Sequence, residues 1–254
     1  MMDKKELLAQ LIELSRVLGR PERELVIMGE GNTSARIDER TFWVKASGAR
    51  LHEIREAGFV QVDLQKVLEV TRAETRTDAE IKRMMEASRV DPAATCQPSV
   101  ETMFHAILYD LTGARFIGHT HPIAVNSLTC SQDAEKMLAG RTTPEEVVYL
   151  GPESVVVPYV DPGLPLAHAV RDAIAAYQDK WQEDPHVVYL QNHGVFALGA
   201  TARAVENTQA MADKAARILL GTMQFGGPRF MSAVDVRRIH TRPDEAYRKN
   251  RANE

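Results

Sequence analysis

The stretch Arg115-Phe116-Ile117-Gly118-His119-Thr120-His121-Pro122 orders the rest of the chain around itself. Its first half is a short apolar run that reads as a buried strand from Arg115 to His119. Pro122 suits the first turn of a following helix, so the two histidines stand at a strand-to-helix junction. On extended backbone, residues i and i+2 share a face about 7 Å apart at the Cα atoms. His119 and His121 can therefore converge on one ion. A catalytic zinc or similar ion commonly takes three protein ligands at about 2.0 Å and keeps a position open. His193 supplies the third, in the loop Gln191-Asn192-His193-Gly194, whose Asn and Gly suit a tight turn. Taken singly, each histidine is more often a structural or surface residue than a ligand, and the surrounding segments must decide.

Outward from that junction the elements alternate. Leu7, Leu11, Leu14 and Leu18 recur at helical spacing after Asp3, a helix cap, and Gly19 with Pro21 ends the pattern. Two β-rich stretches, Glu24 to Met28 and Thr41 to Ala46, flank a small-residue segment from Gly29 to Ser34. Residues 65–90 read as charge-rich surface helices. Ser99 is positioned to cap a helix that carries Glu101 in its first turn and closes at Gly113. Strand-like segments recur at Val147 to Leu150, Ser154 to Tyr159, His186 to Leu190 and Val195 to Leu198, with helices over about 166–177 and 202–220. The Arg- and Asp-rich tail after Gly226 reads as an exposed or interface-docking helix. No repeat, low-complexity tract or linker divides the chain, which predicts a single α/β domain over residues 1–254.

Composition narrows the function. Hydrophobic residues make up 44% and charged residues 26%, an ordinary globular balance. A net charge of -4 with no long basic block argues against nucleic acid as a partner. Two cysteines, Cys96 and Cys130, form neither a CxxC pair nor a disulfide framework and predict a reducing cytoplasm. The first 19 residues lack a signal peptide's apolar stretch, and no run approaches the length of a membrane span. Two small polar loops, Gly31-Asn32-Thr33-Ser34 and Ser47-Gly48, are candidates to cradle an oxyanion through backbone N–H groups.

Taken in order, Gly29-Glu30-Gly31-Asn32-Thr33-Ser34, Trp43-Val44-Lys45-Ala46-Ser47-Gly48, Pro98-Ser99-Val100-Glu101, Gly118-His119-Thr120-His121-Pro122 and Gln191-Asn192-His193-Gly194 resemble the class II aldolase and adducin family. The resemblance runs from about residue 29 to 199. It implies a single α/β domain with a central, mostly antiparallel sheet covered by helices. It further implies a homotetramer with active sites between subunits. By the same resemblance His119, His121 and His193 match zinc ligands, and Glu101 matches the catalytic acid/base. Gly31, Asn32, Ser47, Gly48 and Ser99 match substrate-phosphate contacts. Lys45 resembles a lysine of the family's pentulose-phosphate epimerases and becomes a candidate anion contact; alone it reads equally as a solvent-facing strand lysine. Where phosphate-using members carry two serines, this chain has Ser99 and then Val100. The proton-donating tyrosine of fuculose-phosphate aldolases has no counterpart that can be placed; Tyr149 and Tyr159 are present, and strand packing accounts for both. Segments 155–163 and 241–244 resemble the aldolase half of proteins fused to a short-chain dehydrogenase, and the dehydrogenase half is not among these residues.

The activity so implied is reversible aldol cleavage of a small ketose phosphate through a zinc-stabilised enediolate, with zinc or another divalent metal as cofactor and Glu101 moving the proton beside the carbonyl. The substrate is expected to be a sugar phosphate or a hydroxy or keto acid. Three alternatives use the same domain: a pentulose-phosphate 4-epimerase, a β-keto-acid decarboxylase, and a non-catalytic adducin-like interaction module. Epimerases carry aspartate where this chain has Glu101, and adducin-like members lack the histidines, so the aldolase leads.

Overall fold

Seven strands, β1 (Asn32–Arg36), β2 (Thr41–Lys45), β3 (Phe59–Asp63), β4 (Phe116–Thr120), β5 (Val155–Val157), β6 (Val187–Leu190) and β7 (Gly194–Gly199), build one sheet in the computed structural model, which describes residues 3–245 and 247. Their order is β3-β2-β1-β4-β7-β6-β5. All neighbours are antiparallel except β5 and β6. The mostly antiparallel sheet inferred from the family resemblance is thus present, with β4 and its histidine at the centre.

Helices cover both faces. On one, α2 (Leu64–Thr71), α4 (Thr102–Leu111) and α8 (Leu164–Trp181) pack with Phe42, Val44, Ile117, Val188 and Phe196 in the largest core. On the other, α1 (Lys4–Leu18) packs on Ala35, Phe116 and Ala197, while α5 (Ile123–Thr129) and α9 (Ala202–Thr222) pack on Val187 and Val195. The 3.6-residue period of α1 explains its seating: Leu7, Leu11, Leu14 and Leu18 are all buried. Each such leucine contributes roughly 1.5–3 kcal/mol of burial. Further α-helices are α3 (Asp78–Ala87), α6 (Ala134–Ala139), α7 (Pro144–Leu150) and α10 (Ala233–His240). The tail helix expected after Gly226 is α10, which packs on α7 through buried Val236; residues 246 and 248–254 of that tail lie outside the described ones.

Four local expectations are corrected. Glu24 to Met28 is loop, because Glu24 (φ 53°) and Met28 (φ 51°) are left-handed and break an extended course. The strand begins instead at Asn32, inside the segment expected to be loop. Val147 to Leu150 is the end of α7, started by Thr143 accepting from the Glu146 N–H and by Pro144 at the first position. Ser99 does not cap α4. Glu101 holds the N-cap position, and the Ser99 carbonyl, not its hydroxyl, accepts the Thr102 N–H. Strand β3, with buried Phe59, Val60 and Val62, is an element the sequence pattern left unmarked.

Candidate metal centre

The central strand carries the site. His119 lies near the end of β4, opposite Asn32 on β1 and opposite Phe196 on β7. Residues paired across a sheet point to one face, so these three side chains are neighbours. The His119 ring stacks on Phe196 at 4.2 Å between centroids and 18° between planes. Its Nδ1 lies 3.1 Å from the Val195 carbonyl, which can only accept, so Nδ1 carries the proton and Nε2 keeps its lone pair.

Around that nitrogen the other groups converge. His121 Nε2 is 2.9 Å from His119 Nε2. The His193 ring stands 4.9 Å from His119 and 5.0 Å from His121, centroid to centroid. Glu101 Oε1 lies 3.0 Å from His193 Nε2 and 3.6 Å from His119 Nε2. Ligand atoms of all four residues fall within 4.8 Å of one another. At 2.9 Å either His121 donates an Nε2–H to the His119 lone pair or both nitrogens turn lone pairs toward a shared cation. Three imidazoles with one carboxylate form a donor set suited to a borderline divalent ion.

The backbone is shaped to allow this. A Cβ on Gly194 would sit 2.5 Å from the Thr120 carbonyl and 2.6 Å from His121 Cδ2, so only glycine lets the His193 loop approach the His119 pair. Gly31 has φ +66°, and a Cβ there would meet the His119 carbonyl at 2.6 Å. From α9, buried Gln209 accepts from the Thr120 hydroxyl and donates to the Gly118 carbonyl, fixing the strand between and before the two histidines.

Electrostatics match the geometry. Burial, reinforced by His119 and His193, pushes His121 down to about 3, leaving it neutral and able to donate a lone pair. Burial opposes a charged Glu101, yet His119 and His193 hold its carboxyl well below the usual range. Lys45 is disfavoured as a cation by burial, with Glu101 acting in the opposite sense.

The remaining residues singled out from the sequence lie on three adjoining loops or at the strand ends that meet them, Asn32 opening β1 and Lys45 closing β2. Lys45 is buried and donates to the carbonyls of Gly29 at 3.2 Å and Ala49 at 2.6 Å, so it ties the first two loops together instead of facing solvent. The Ser47 N–H donates to the Gln97 carbonyl, joining the third. Ser47 and Gly48 are exposed, with Gly48 at φ +80°. The Ser99 hydroxyl is buried and has no hydrogen-bond partner among the described residues. Asn32 is buried and its amide spans Glu101 and His105.

Beside the histidines opens a cavity of about 300 Å³ lined by Val100, Glu101, Phe104, Tyr159, Leu166 and His193. Tyr159 is 58% exposed there, which corrects the strand-packing explanation and adds a hydroxyl that no sequence pattern marked. Tyr149 belongs to α7 and lines a separate cavity with Thr112, Gly113 and Leu198, at the far end of the sheet. Also unmarked was His105, four residues after Glu101; that spacing places both on one face of a helix and was the available signal. Among the described residues no helix is long and apolar enough to cross a membrane.

Comparison with known proteins agrees with this architecture. Over 244 residues the chain is 25% identical to an uncharacterized oxidoreductase, YuxG, of Bacillus subtilis (strain 168), covering 90% of this chain and 32% of that protein, so it spans about a third of that relative's length. Among solved structures it resembles YgbL of Klebsiella pneumoniae, a putative aldolase/epimerase/decarboxylase, with a TM-score of 0.72 at 21% identity, covering 94% of this chain and 100% of the other. An L-fuculose-1-phosphate aldolase from Thermus thermophilus superposes with a TM-score of 0.61 at 21% identity, covering 88% and 98%. At such identities these structures establish the fold alone. Residues 9–220, by contrast, match the Class II Aldolase and Adducin N-terminal domain, and with a match over most of its length the chain belongs to that family.

Proposed function

We propose that this protein is a divalent-metal lyase that reversibly cleaves a carbon–carbon bond in a small ketose phosphate, with His119, His121 and His193 holding zinc or a similar ion. The observation that carries the reading is the meeting of three imidazoles, distant in sequence, beside the carboxylate of Glu101. A cation bound there would supply Lewis-acid charge that stabilises negative charge developing on the substrate's carbonyl oxygen.

This chain's own groups do the rest. In the condensation direction Glu101 removes a proton from the carbon next to the carbonyl, and that carbon bonds to the incoming aldehyde, whose oxygen takes up a proton from solvent. In cleavage that hydroxyl gives its proton back to solvent, the carbon–carbon bond breaks with its electron pair passing to the carbon beside the carbonyl, and Glu101 returns a proton to that carbon. Gly31, Asn32, Lys45, Ser47, Gly48 and Ser99 are assigned to orient an anionic group of the substrate. The joined loops and the unpartnered Ser99 hydroxyl support this assignment. The apolar wall of Phe104 and Leu166 limits water near the reacting carbon. Exposed Ile27, Met28, Val100 and Ile123 flank the centre and support a homo-oligomer, a tetramer by family resemblance, with sites near subunit contacts. Cys96 and Cys130, both free thiols, suit a reducing cytoplasmic setting.

A second reading, decarboxylation of a β-keto acid, draws on one observation: Val100 presents no hydroxyl beside Ser99, leaving one donor fewer for a phosphate. Zinc-loaded protein incubated with ketose 1-phosphates, pentulose 5-phosphates and β-keto acids, with products identified by mass and by chromatography against authentic stereoisomers, separates the readings. Aldehyde release from a ketose phosphate is the expected result. Loss of carbon dioxide or a stereoisomer of unchanged mass would replace it, and no turnover of any substrate by metal-replete protein would end it.

A further inference from the structure

From α4 a buried line of hydrogen bonds runs into the back of the centre. The Asn32 amide contacts a Glu101 oxygen on one side and His105 Nε2 on the other. His105 Nδ1 lies 2.7 Å from the Ser34 hydroxyl, and Ser34 lies 2.7 Å from the Tyr109 hydroxyl. His105 and Ser34 are fully buried, and Tyr109 is 1% exposed.

Donor and acceptor chemistry gives this line one direction. A carboxylate accepts only, so Asn32 must turn its NH₂ to Glu101 and its carbonyl oxygen to His105. His105 Nε2 must then carry the proton. Burial pushes the His105 imidazole down to about 3, so the ring is neutral and Nδ1 is a lone pair. Ser34 therefore donates to Nδ1 and accepts from Tyr109, whose alternative acceptor, the Arg115 carbonyl, is farther away at 3.4 Å. Every member of the chain points its hydrogen toward Glu101.

We propose that His105 is a positioning residue for the metal centre: locked in its Nε2–H form by Ser34 and Tyr109, it holds the Asn32 amide in the one orientation that donates to Glu101, and so sets where the carboxylate stands against His119 and His193. The proposal rests on the metal-centre reading for its consequence, whereas the direction of the hydrogen-bond chain is independent of it. A purely structural His105 would fill space in the core with no demand on its tautomer. Groups that orient the residues around a metal in this way typically change its affinity by about 10- to 100-fold when removed.

The test has two arms. In protein with ¹⁵N-labelled histidine, long-range ¹H–¹⁵N spectra should report a neutral Nε2–H tautomer for His105 in the metal-free state, and Ser34→Ala should shift it toward a mixture. An Nδ1–H tautomer in the unsubstituted protein would overturn the proposal whether or not the chain binds zinc. Zinc affinity measured by chelator competition should fall about 10-fold or more in His105→Phe and recover to within about 3-fold in His105→Gln, whose amide can donate to Asn32 and accept from Ser34. Equal affinity in folded His105→Phe and unsubstituted protein would also overturn it. Should His105→Phe fail to fold, Ser34→Ala, which removes only the hydroxyl that donates to Nδ1, reads both tautomer and zinc affinity, and values unchanged from the parent in both would overturn the proposal. Failure of the unsubstituted protein to bind zinc would strike the metal-centre reading alone, because the tautomer arm still decides this one.

Discussion

His119 and Phe196 stand opposite each other on β4 and β7 with their rings stacked at 4.2 Å. The imidazole nearest the middle of the cluster is thereby pinned by an apolar plane on its flank and by the Val195 carbonyl at its far nitrogen. Its lone pair has one place to point. His121 and His193 come to that place from a strand end and a loop, and their substitution tests whether a shared ion holds them.

His119→Ala or His193→Ala should lose the bound divalent ion, because two imidazoles hold such an ion poorly. Metal content of purified protein, by emission spectroscopy, checks this. Unchanged occupancy in either variant would remove that residue from the ligand set.

Gly194→Ala is a narrower probe. The new methyl group meets the Thr120 carbonyl and the His121 ring, so the loop must withdraw and carry His193 with it. We expect a loss of metal affinity of about 10-fold or more with a modest fall in thermal midpoint. A variant binding metal as tightly as the parent would show that the loop has room to shift without disturbing the ring.

Glu101→Gln should still bind the metal through the three histidines, though about 10-fold or more weakly without the carboxylate, while at saturating metal turnover slows by about 100-fold or more. Tyr159→Phe should leave stability unchanged, because that side chain is largely exposed, and should slow turnover only where the hydroxyl exchanges a proton with the leaving aldehyde. Full activity in Glu101→Gln would reduce Glu101 to a helix-starting residue.

Lys45→Met removes the donor that joins Gly29 and Ala49. Two carbonyls lose their partner, at a cost of about 1–3 kcal/mol, and the loops separate. Denaturant midpoint and apparent substrate affinity should fall together. A change in affinity with no change in midpoint would make Lys45 a substrate contact and nothing more.

Acid should destabilise the metal-free protein through its buried histidines. Burial depresses His105 and His121 to about 3, against about 6.5 in an unfolded chain. Between those values the unfolded state binds more protons, so stability rises with pH and is lost as pH falls below about 6.5. The slope is about 1.4 kcal/mol per pH unit for each histidine. Urea midpoints in the presence of a chelator, taken between about pH 7 and pH 5, should decline accordingly. A flat profile would mean these rings stay accessible to protons in the fold.

Much of the site was legible along the chain. His119-Thr120-His121 announced its own geometry, since i and i+2 share a face on any extended strand. Hydrophobic patterning likewise located α1, α9 and β4. Where local pattern failed, a competing local signal or a tertiary demand had won. Val147, Val148 and Leu150 are as apolar as a strand, but Thr143 and Pro144 start a helix ahead of them. Asn32, Thr33 and Ser34 look like a turn, yet β2 and β4 on either side supply their hydrogen-bond partners and make them a strand.

The ordered motifs of the sequence, through their resemblance to a known family, marked the family, the three imidazoles and the carboxylate, because short motifs are legible residue by residue along the chain. Only the tertiary structure decided that the Lys45 ammonium braces two loops, that Tyr159 faces the cavity, and that His105 backs Asn32 and Glu101. Each of these depends on which surfaces meet when β1, β4 and β7 are laid side by side under α4, and a linear chain holds no record of that meeting until it folds.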